Sequence, residues 1–201
     1  MKFLIATHNR KKLSELKRIL EPLGIEAVIA SDIGMDISDP EETGLTFAEN
    51  AKIKAACGCG ETGLPCIADD SGLCIDALDG RPGVFSARYA GGHDTPYSHK
   101  MQVILDEMKD VADEDRTARF VSAVCCVFPD GREINAEGKC EGKIGYEPLG
   151  CGGFGYDPIF MVGDKSFAQL TDSEKDAVSH RGNALRLFVC ELQKWAESEK
   201  L

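Results

Sequence analysis

Two adjacent aspartates and a serine, Asp69-Asp70-Ser71, stand between apolar residues in the stretch IADDSGLCIDAL. Carboxylates that emerge from a buried strand are costly to desolvate unless a cation meets them. The stretch therefore predicts a metal or general-base site, or alternatively a plain turn, since Asp, Ser and Gly are common turn residues. In either case we expect a turn where one strand ends and another begins.

A second pair of carboxylates, Glu41 and Glu42, precedes the sequence TGLT in an acidic loop. Oxygen ligands suit Mg²⁺, which typically takes one or two carboxylates, several waters and substrate phosphates. An acidic loop is otherwise simply solvated. The pair becomes a metal site only if its loop folds back toward Asp69 and Asp70.

A basic turn follows the first predicted strand, with residues Thr7, His8, Asn9, Arg10, Lys11 and Lys12. Free backbone N–H groups at the start of a helix, together with the helix dipole, would make this turn an anion site. Its sequence lacks the G-x-x-x-x-G-K-[ST] pattern of a P-loop. The alternative is an N-cap followed by a solvated basic face.

A glycine-rich turn near the last third of the chain contains Phe154, Gly155, Tyr156 and Asp157. Glycine allows a ligand ring to approach the backbone, and an aromatic side chain can stack on a base. A plain tight turn is the competing interpretation.

Hydrogen-bond donors gather farther along the chain at Lys175, Ser179, His180 and Arg181, near the start of a predicted helix. The sequence shows no evident acid partner for them. They therefore predict recognition of a carbonyl or phosphate oxygen, and the alternative is a charged helix face.

Strands and helices alternate in the part of the chain that would carry these residues. Apolar runs and turn residues predict strands at 2–6, 25–30, 119–128 and 133–140, the last two joined as a hairpin. Helices are predicted at 7–24, from the capping box Thr46–Glu49 to about 57, at 95–109, and at the end of the chain after a second capping box, Thr171–Glu174. The order predicts one α/β domain over residues 1–201, with an elongated mixed β-sheet flanked by helices and two lobes around a central substrate cleft.

Bulk composition narrows the classes of function. The 201 residues carry a net charge of −11, which argues against binding along a nucleic-acid backbone. No apolar run approaches the roughly 20 residues of a membrane span, and the start of the chain lacks the features of a secretory signal, so we expect a cytoplasmic protein. The nine cysteines fit a reducing compartment, and the C-x-C spacing of Cys57 and Cys59 argues against a zinc site.

Together, these segments resemble the inosine triphosphate pyrophosphatase family, which hydrolyses non-canonical purine nucleoside triphosphates. The matching segments run in the family's order from residue 7 to about residue 185: T-x-N-x-x-K-x-x-E, EETGLTFAENAKIKA, ADDSGLCIDALDGRPGVFSARYAG, GGFGYDPIF and LTDSEKDAVSHRGNAL. His8 departs from the pattern, because the family more often has Gly or Asn there.

The resemblance implies a homodimer that uses Mg²⁺ to cleave between the α and β phosphates, giving a nucleoside monophosphate and pyrophosphate. It assigns the catalytic role to Asp70, and the metal to Asp70 with either Glu41 or Glu42. The turn from Thr7 to Lys12 would bind phosphate and Ser71 would contact the substrate. The implied nucleoside pocket comprises Phe154, Gly155, Tyr156, Asp157, Lys175, His180 and Arg181.

Base selectivity would follow from hydrogen-bond donors. Lys175 and Arg181 only donate, so a carbonyl at purine position 6 would accept their bonds whereas the amino group of adenine would not. Two alternatives stand beside this hypothesis: a related pyrophosphatase with another base preference, such as a modified pyrimidine, and a nucleotide-binding regulatory module without catalysis. The clustered carboxylates argue against the second, because a pure binder has no need of them.

Overall fold

A seven-stranded mixed sheet runs through the part of the chain that the computed structural model describes, residues 2–198. Its strands are β1 (Lys2–Ile5), β2 (Glu26–Val28), β3 (Cys66–Ile75), β4 (Thr117–Val127), β5 (Glu133–Ile144), β6 (Phe160–Val162) and β7 (Lys165–Ser166). The hydrogen-bonded order is β2-β1-β3-β4-β5-β6-β7. β1 is parallel to both β2 and β3, whereas β6 is antiparallel to β5 and β7.

Helices flank the sheet as predicted: α1 (Arg10–Leu20), α2 (Phe47–Thr62), α3 (Tyr97–Glu107), α4 (Asp172–Val178) and α5 (His180–Ser198). Both predicted capping boxes are present, because Thr46 and Thr171 each accept a hydrogen bond from the backbone three residues on. The α/β class with a mixed sheet is therefore confirmed. The cleft between two lobes and the single domain stay predictions.

Several element boundaries differ from the sequence prediction. The second strand is shorter than predicted, because a helical turn at Ala30–Ile33 replaces its end. Helix α2 continues to Thr62 despite its glycines. Gly58 is required by packing, because an added Cβ would lie 2.6 Å from the Cys66 sulfur. Ser179 adopts an extended conformation, with ψ 153°, and separates α4 from α5.

The prediction of a turn at Asp69-Asp70-Ser71 is wrong. These residues lie inside β3, which runs without a break from Cys66 to Ile75. The strand is buried along almost its whole length, so it can continue through the two aspartates only because cationic side chains meet them.

The described chain divides into two compact units. The first contains the residues up to Asp70 together with Ser122–Gly138 and the chain from His180 onward, and the second contains Ser71–Val121 and Lys139–Ser179. Each unit has its own buried apolar side chains. No helix within residues 2–198 has the length and apolar character that a bilayer crossing requires.

Two cores in the first unit lie on opposite faces of the sheet. The first core includes Phe3 and Ile5 of β1, packed with side chains of α1 and α5. The second core includes Leu4 of β1 with side chains of α2. Because successive strand residues point to opposite faces, β1, β3 and β4 each supply both cores. The second unit has a third core, in which Phe120 packs against Phe160 and Phe167 with ring centroids 4.7 and 5.7 Å away.

Close contact between β5 and the first turn of α5 depends on Gly138. A Cβ at this position would lie 2.2 Å from the backbone nitrogen of Ala184 and 2.5 Å from the carbonyl oxygen of His180. These are backbone atoms, so they cannot move aside as a flexible side chain would. Gly138 therefore sets the position of the turn from which Arg181 projects.

Replacing Gly138 by Ala is expected to lower the free energy of unfolding by about 1–3 kcal/mol, because the added methyl overpacks a tight contact. Gly60→Ala is the matched control: Gly60 lies within α2 and an added Cβ would meet nothing within 4 Å. That control should raise the free energy of unfolding by about 0.5–1 kcal/mol, through the better helix propensity of Ala. Urea titration of both variants measures the difference, and a Gly138→Ala variant as stable as the parent would show that α5 can shift away from β5.

Candidate active site

The two adjacent aspartates of β3 point to opposite faces of the sheet. Ile67 belongs to the first core and Ala68 to the second, and side chains alternate along the strand. Asp69 therefore lies on the face of α1 and α5, and Asp70 on the face of α2. This alternation gives the two carboxylates separate partners.

Asp69 is enclosed by cations. Its Oδ2 accepts hydrogen bonds from Nε and Nη2 of Arg181, at 3.1 and 2.9 Å, and lies 3.3 Å from Nζ of Lys12. Arg181 also donates from Nη1 to Oε2 of Glu15, and only 1% of its side chain is exposed. Burial by itself would raise the pKa of Asp69, but the charges of Arg181 and Lys12 outweigh it and the net shift is downward.

Asp70 has partners on α2. Its Oδ2 accepts a hydrogen bond from Nδ2 of Asn50 at 3.2 Å, and its Oδ1 lies 3.2 Å from Nζ of Lys54. Burial raises the pKa of Asp70, although Lys54 opposes the shift. A carboxylate with a raised pKa is a stronger base, which suits it to accept a proton.

Lys54 joins Asp70 to the acidic loop. Its Nζ lies 2.6 Å from Oε1 of Glu42, and only 12% of its side chain is exposed. Burial opposes the charge of Lys54, but Asp70, Asp69 and Glu42 together raise its pKa. The loop therefore does fold back toward the aspartates, and Glu42 is the residue that reaches them, whereas Glu41 is exposed.

Asn50 fixes the acidic loop from the other side. Its Oδ1 accepts a hydrogen bond from the backbone N–H of Gly44 at 2.8 Å, while its amide group donates to Asp70. A Cβ at Gly44 would lie 2.6 Å from that same Oδ1, so the contact requires glycine. The fully buried side chain of Asn50 thus links the acidic loop to Asp70, the candidate catalytic residue.

The basic turn forms the N-terminus of α1. Asn9 is the N-cap residue, and its Oδ1 accepts hydrogen bonds from the backbone N–H groups of Lys11 and Lys12 at 3.0 and 3.1 Å. The expectation of free N–H groups is therefore wrong at these two positions. His8, Asn9, Arg10 and Lys11 are exposed, and Thr7 is half-buried.

The glycine-rich turn is held by a buried carboxylate in the second unit. Oδ2 of Asp157 accepts a hydrogen bond from the backbone N–H of Phe154 at 2.7 Å and lies 2.7 Å from Nζ of Lys175. That ammonium also lies 4.8 Å from the centre of the Phe154 ring, within the range of a cation–π interaction. A Cβ at Gly153 would lie 2.1 Å from Asp157, which explains this glycine.

The sequence suggested that the late donors had no acid partner, and this is wrong for two of them. Lys175 is paired with Asp157, and Arg181 with Asp69 and Glu15. The physical reason is burial, because a cation with 5% or 1% of its side chain exposed requires a carboxylate beside it. His180 is also buried, and Ser71 is half-buried in β3.

Sequence reasoning missed three side chains of this cluster: Glu15, Asn50 and Lys54. Asn50 and Lys54 are four residues apart and therefore lie on one face of α2, the face that is packed toward the sheet. Their spacing was the available signal, because two polar residues on a helix face of otherwise small, apolar residues indicate a polar partner in the sheet. Glu15 occupies the last position of the T-x-N-x-x-K-x-x-E motif, one turn after Lys12.

A magnesium ion fits the donor set of this cluster. Glu42 and Asp70 place carboxylate oxygens around one ammonium group, so the site already gathers negative charge about a cation. Over residues 2–198 no three His, Cys, Asp or Glu side chains converge as a metal group. Mg²⁺ needs no more than one or two carboxylates when water and substrate phosphates complete its coordination.

Comparison with known proteins matches almost the whole chain. The family model described as the Ham1 family matches residues 3–191. A dITP/XTP pyrophosphatase from Nocardia farcinica is 50% identical over 200 residues, which cover 96% of this chain and 96% of the relative. A dITP/XTP pyrophosphatase from Shigella flexneri is 46% identical over 192 residues, covering 94% and 96%.

Solved structures show the same fold. A HAM1 protein from Coxiella burnetii superposes with a TM-score of 0.86 at 39% identity, over 96% of this chain and 99% of that one. The crystal structure of a nucleoside-triphosphatase / dITP/XTP pyrophosphatase from Mycobacterium abscessus gives a TM-score of 0.72 at 47% identity, over 93% and 98%.

Proposed function

Because the chain belongs to the Ham1 family, we propose that it hydrolyses the non-canonical purine nucleotides dITP, ITP and XTP to a nucleoside monophosphate and pyrophosphate. It is a nucleoside-triphosphate pyrophosphatase. The observation that carries the proposal is the partly buried arrangement in which Lys54 joins Glu42 to Asp70. A protein that only bound nucleotides would have no need of clustered carboxylates beside a basic turn.

The charged side chains around Asp69 and Asp70 in the first unit would bind the triphosphate. Lys12 and Lys54 supply positive charge beside the two aspartates, and Asp69 holds the Lys12 ammonium in place. This local charge opposes the repulsion between an anionic substrate and a protein of net charge −11. The proposed phosphate-binding residues are those of the basic turn, Thr7, His8, Asn9, Arg10, Lys11 and Lys12.

Asp70 would accept the proton of the attacking water. The hydrogen bond from Asn50 orients its carboxylate. Mg²⁺, when bound by Asp70 and Glu42, would neutralise part of the triphosphate charge and of the charge that develops on the leaving pyrophosphate. Glu42 rather than Glu41 is the proposed ligand, because only Glu42 shares Lys54 with Asp70.

The glycine-rich turn at 154–157, in the second unit, would take part in nucleoside recognition. Asp157 fixes the backbone of Phe154 and the ammonium of Lys175, so an aromatic face and a donor are held in one arrangement. The remaining proposed substrate contacts are Ser71, Gly155, Tyr156, His180 and Arg181. The cytoplasmic location expected from the sequence and the homodimer implied by the resemblance belong to the same proposal. Sedimentation of the purified chain checks the dimer.

Steady-state kinetics with a panel of nucleotides test this function. With Mg²⁺ present, kcat/KM for dITP and XTP should exceed that for dATP by about tens to tens of thousands-fold. The hypothesis has Lys175 and Arg181 donate to the carbonyl at purine position 6, and two donors that face the amino group of adenine instead would cost roughly 2–6 kcal/mol. A chelator should abolish the activity. Equal turnover of dATP and dITP, or turnover of a modified pyrimidine nucleotide alone, would assign the site another base preference.

The choice between the two loop carboxylates gives a matched pair of variants. Glu42→Gln should raise the Mg²⁺ concentration for half-maximal activity by at least about 10–100-fold, because loss of even an outer-shell partner of a metal ligand typically costs that much. Glu41→Gln, one residue away and exposed, should leave that concentration within about twofold of the parent. The reverse outcome would move the metal to Glu41 and leave Glu42 as a partner of Lys54 alone.

A further inference from the structure

Ser86 makes hydrogen bonds to two segments that are far apart in sequence. It is buried in the short helical turn Gly83–Arg88 of the second unit. Its Oγ accepts a hydrogen bond from the backbone N–H of Leu73 at 2.9 Å and donates one to the carbonyl oxygen of Gly83 at 2.6 Å. Its backbone carbonyl accepts a hydrogen bond from the hydroxyl of Tyr156 at 2.9 Å.

Both segments carry proposed substrate contacts. Leu73 lies two residues after Ser71 in β3, and its N–H donates to the side chain of Ser86. Tyr156 belongs to the glycine-rich turn with Phe154, and it is 2% exposed. Buried polar groups of this kind must keep their partners, so these bonds restrict where each segment can lie.

The turn that contains Ser86 is itself anchored. The ammonium of Lys100, which is fully buried, donates a hydrogen bond to the carbonyl oxygen of Ala87 and lies 4.8 Å from the centre of the Tyr97 ring. That ring packs edge to face with Tyr156 at 5.2 Å. The turn that contains Ser86 is therefore held by α3 as well as by its bonds to Leu73 and Tyr156.

We propose that Ser86 is a positioning residue, which holds the strand segment after Ser71 and the aromatic turn at Phe154 in the relative placement that nucleoside binding requires. This inference rests on the proposed function, since both segments are proposed substrate contacts. Ser86 acts through Leu73 and Tyr156 and touches no reacting atom. In this proposal the Tyr156 hydroxyl bonds to the carbonyl oxygen of Ser86 within the protein.

Three variants test the coupling: Ser86→Ala, Tyr156→Phe and the double variant. Each single change should raise KM for dITP about tenfold with kcat within about threefold, because ground-state and transition-state binding are lost together. The double variant should be no worse than about twofold beyond the stronger single variant, since both changes release the same placement. Multiplying effects would show two independent structural bonds and overturn the proposal.

Two matched controls remove hydroxyl groups elsewhere. Ser122→Ala removes a buried hydroxyl that has no hydrogen-bond partner within residues 2–198, and Tyr89→Phe removes an exposed hydroxyl that bonds to Glu107. Both should keep KM for dITP within about twofold.

Stability is measured alongside the kinetics. A lower melting temperature in Ser86→Ala or Tyr156→Phe with unchanged KM would make Ser86 purely structural and overturn the proposal. If Ser86→Ala does not fold, the KM of Tyr156→Phe decides alone. Failure of the parent protein to hydrolyse dITP would reject the proposed function itself, and is seen before any variant is compared.

Discussion

Replacing Asp70 by Asn is expected to lower kcat for dITP by about 10²–10⁴-fold or more, the usual contribution of a general base. The amide neither accepts the proton of the attacking water nor binds a metal as a carboxylate does. The fold should survive, because Asn can still accept the hydrogen bond from Asn50 and the change removes a charge that burial disfavours. Initial rates at saturating dITP and Mg²⁺ measure the loss.

Asp79→Asn is a suitable control for that substitution. Asp79 is exposed and has a φ of 54°, a conformation that Asn adopts readily. The control should keep kcat within about twofold of the parent. An Asp70→Asn variant that keeps more than about a tenth of the parental kcat would remove Asp70 from the catalytic role.

Replacing Arg181 by Met is expected to lower the free energy of unfolding by about 3–5 kcal/mol, because it removes the guanidinium that pairs with the buried carboxylates of Asp69 and Glu15. Asp69 and Glu15 both depend on this guanidinium, and Asp69 is 1% exposed. Urea denaturation measures the loss. Adding Glu15→Gln to the variant should recover part of the stability, since the buried negative charge of Glu15 is then gone.

The pH dependence of that loss has a defined sign. The folded-state pKa of Asp69 is lowered, so its ionised form contributes stability that is present above the ordinary pKa of Asp and is lost as pH falls below about 4. The stability gap between the parent and Arg181→Met should therefore shrink in acid. A gap that is absent at neutral pH would show that other groups compensate Asp69.

The same variant separates two roles of Arg181. If Arg181 donates to the purine base, the variant should lower kcat/KM for dITP more than for dATP, so the ratio of the two values should fall. If Arg181 only pairs with Asp69 and Glu15, the variant should lower kcat/KM for dITP and for dATP by the same factor. Arg181→Lys keeps a charge but loses the forked donor geometry, and it serves this comparison if Arg181→Met is too unstable to assay.

Local sequence patterns predicted most of the elements that position the site. Capping residues and apolar periodicity located α1, α2 and the β4–β5 hairpin, because these signals act over a few neighbouring residues. The same local logic failed at Asp69-Asp70-Ser71, where turn-forming residues lie within a strand. What decides the conformation there is compensation by Lys12, Lys54 and Arg181, which come from three different helices.

The partners of the site residues could not be predicted for the same reason. Glu15 and Arg181 are separated by 166 residues, and nothing near either residue indicates the other. The choice of Glu42 over Glu41 likewise depends on where Lys54 projects from α2. Residue types suggested the chemistry, while the packing of helices on both faces of the sheet determined which charges meet.

The identity of the first products formed from dITP tests the proposed function most directly. Phosphorus NMR of a reaction with Mg²⁺ should show the nucleoside monophosphate and pyrophosphate appearing together from the earliest time points. The Asp70→Asn variant should form neither at a comparable rate. Orthophosphate and the nucleoside diphosphate as the first products would contradict the account, because the bond broken would then be the one between the β and γ phosphates.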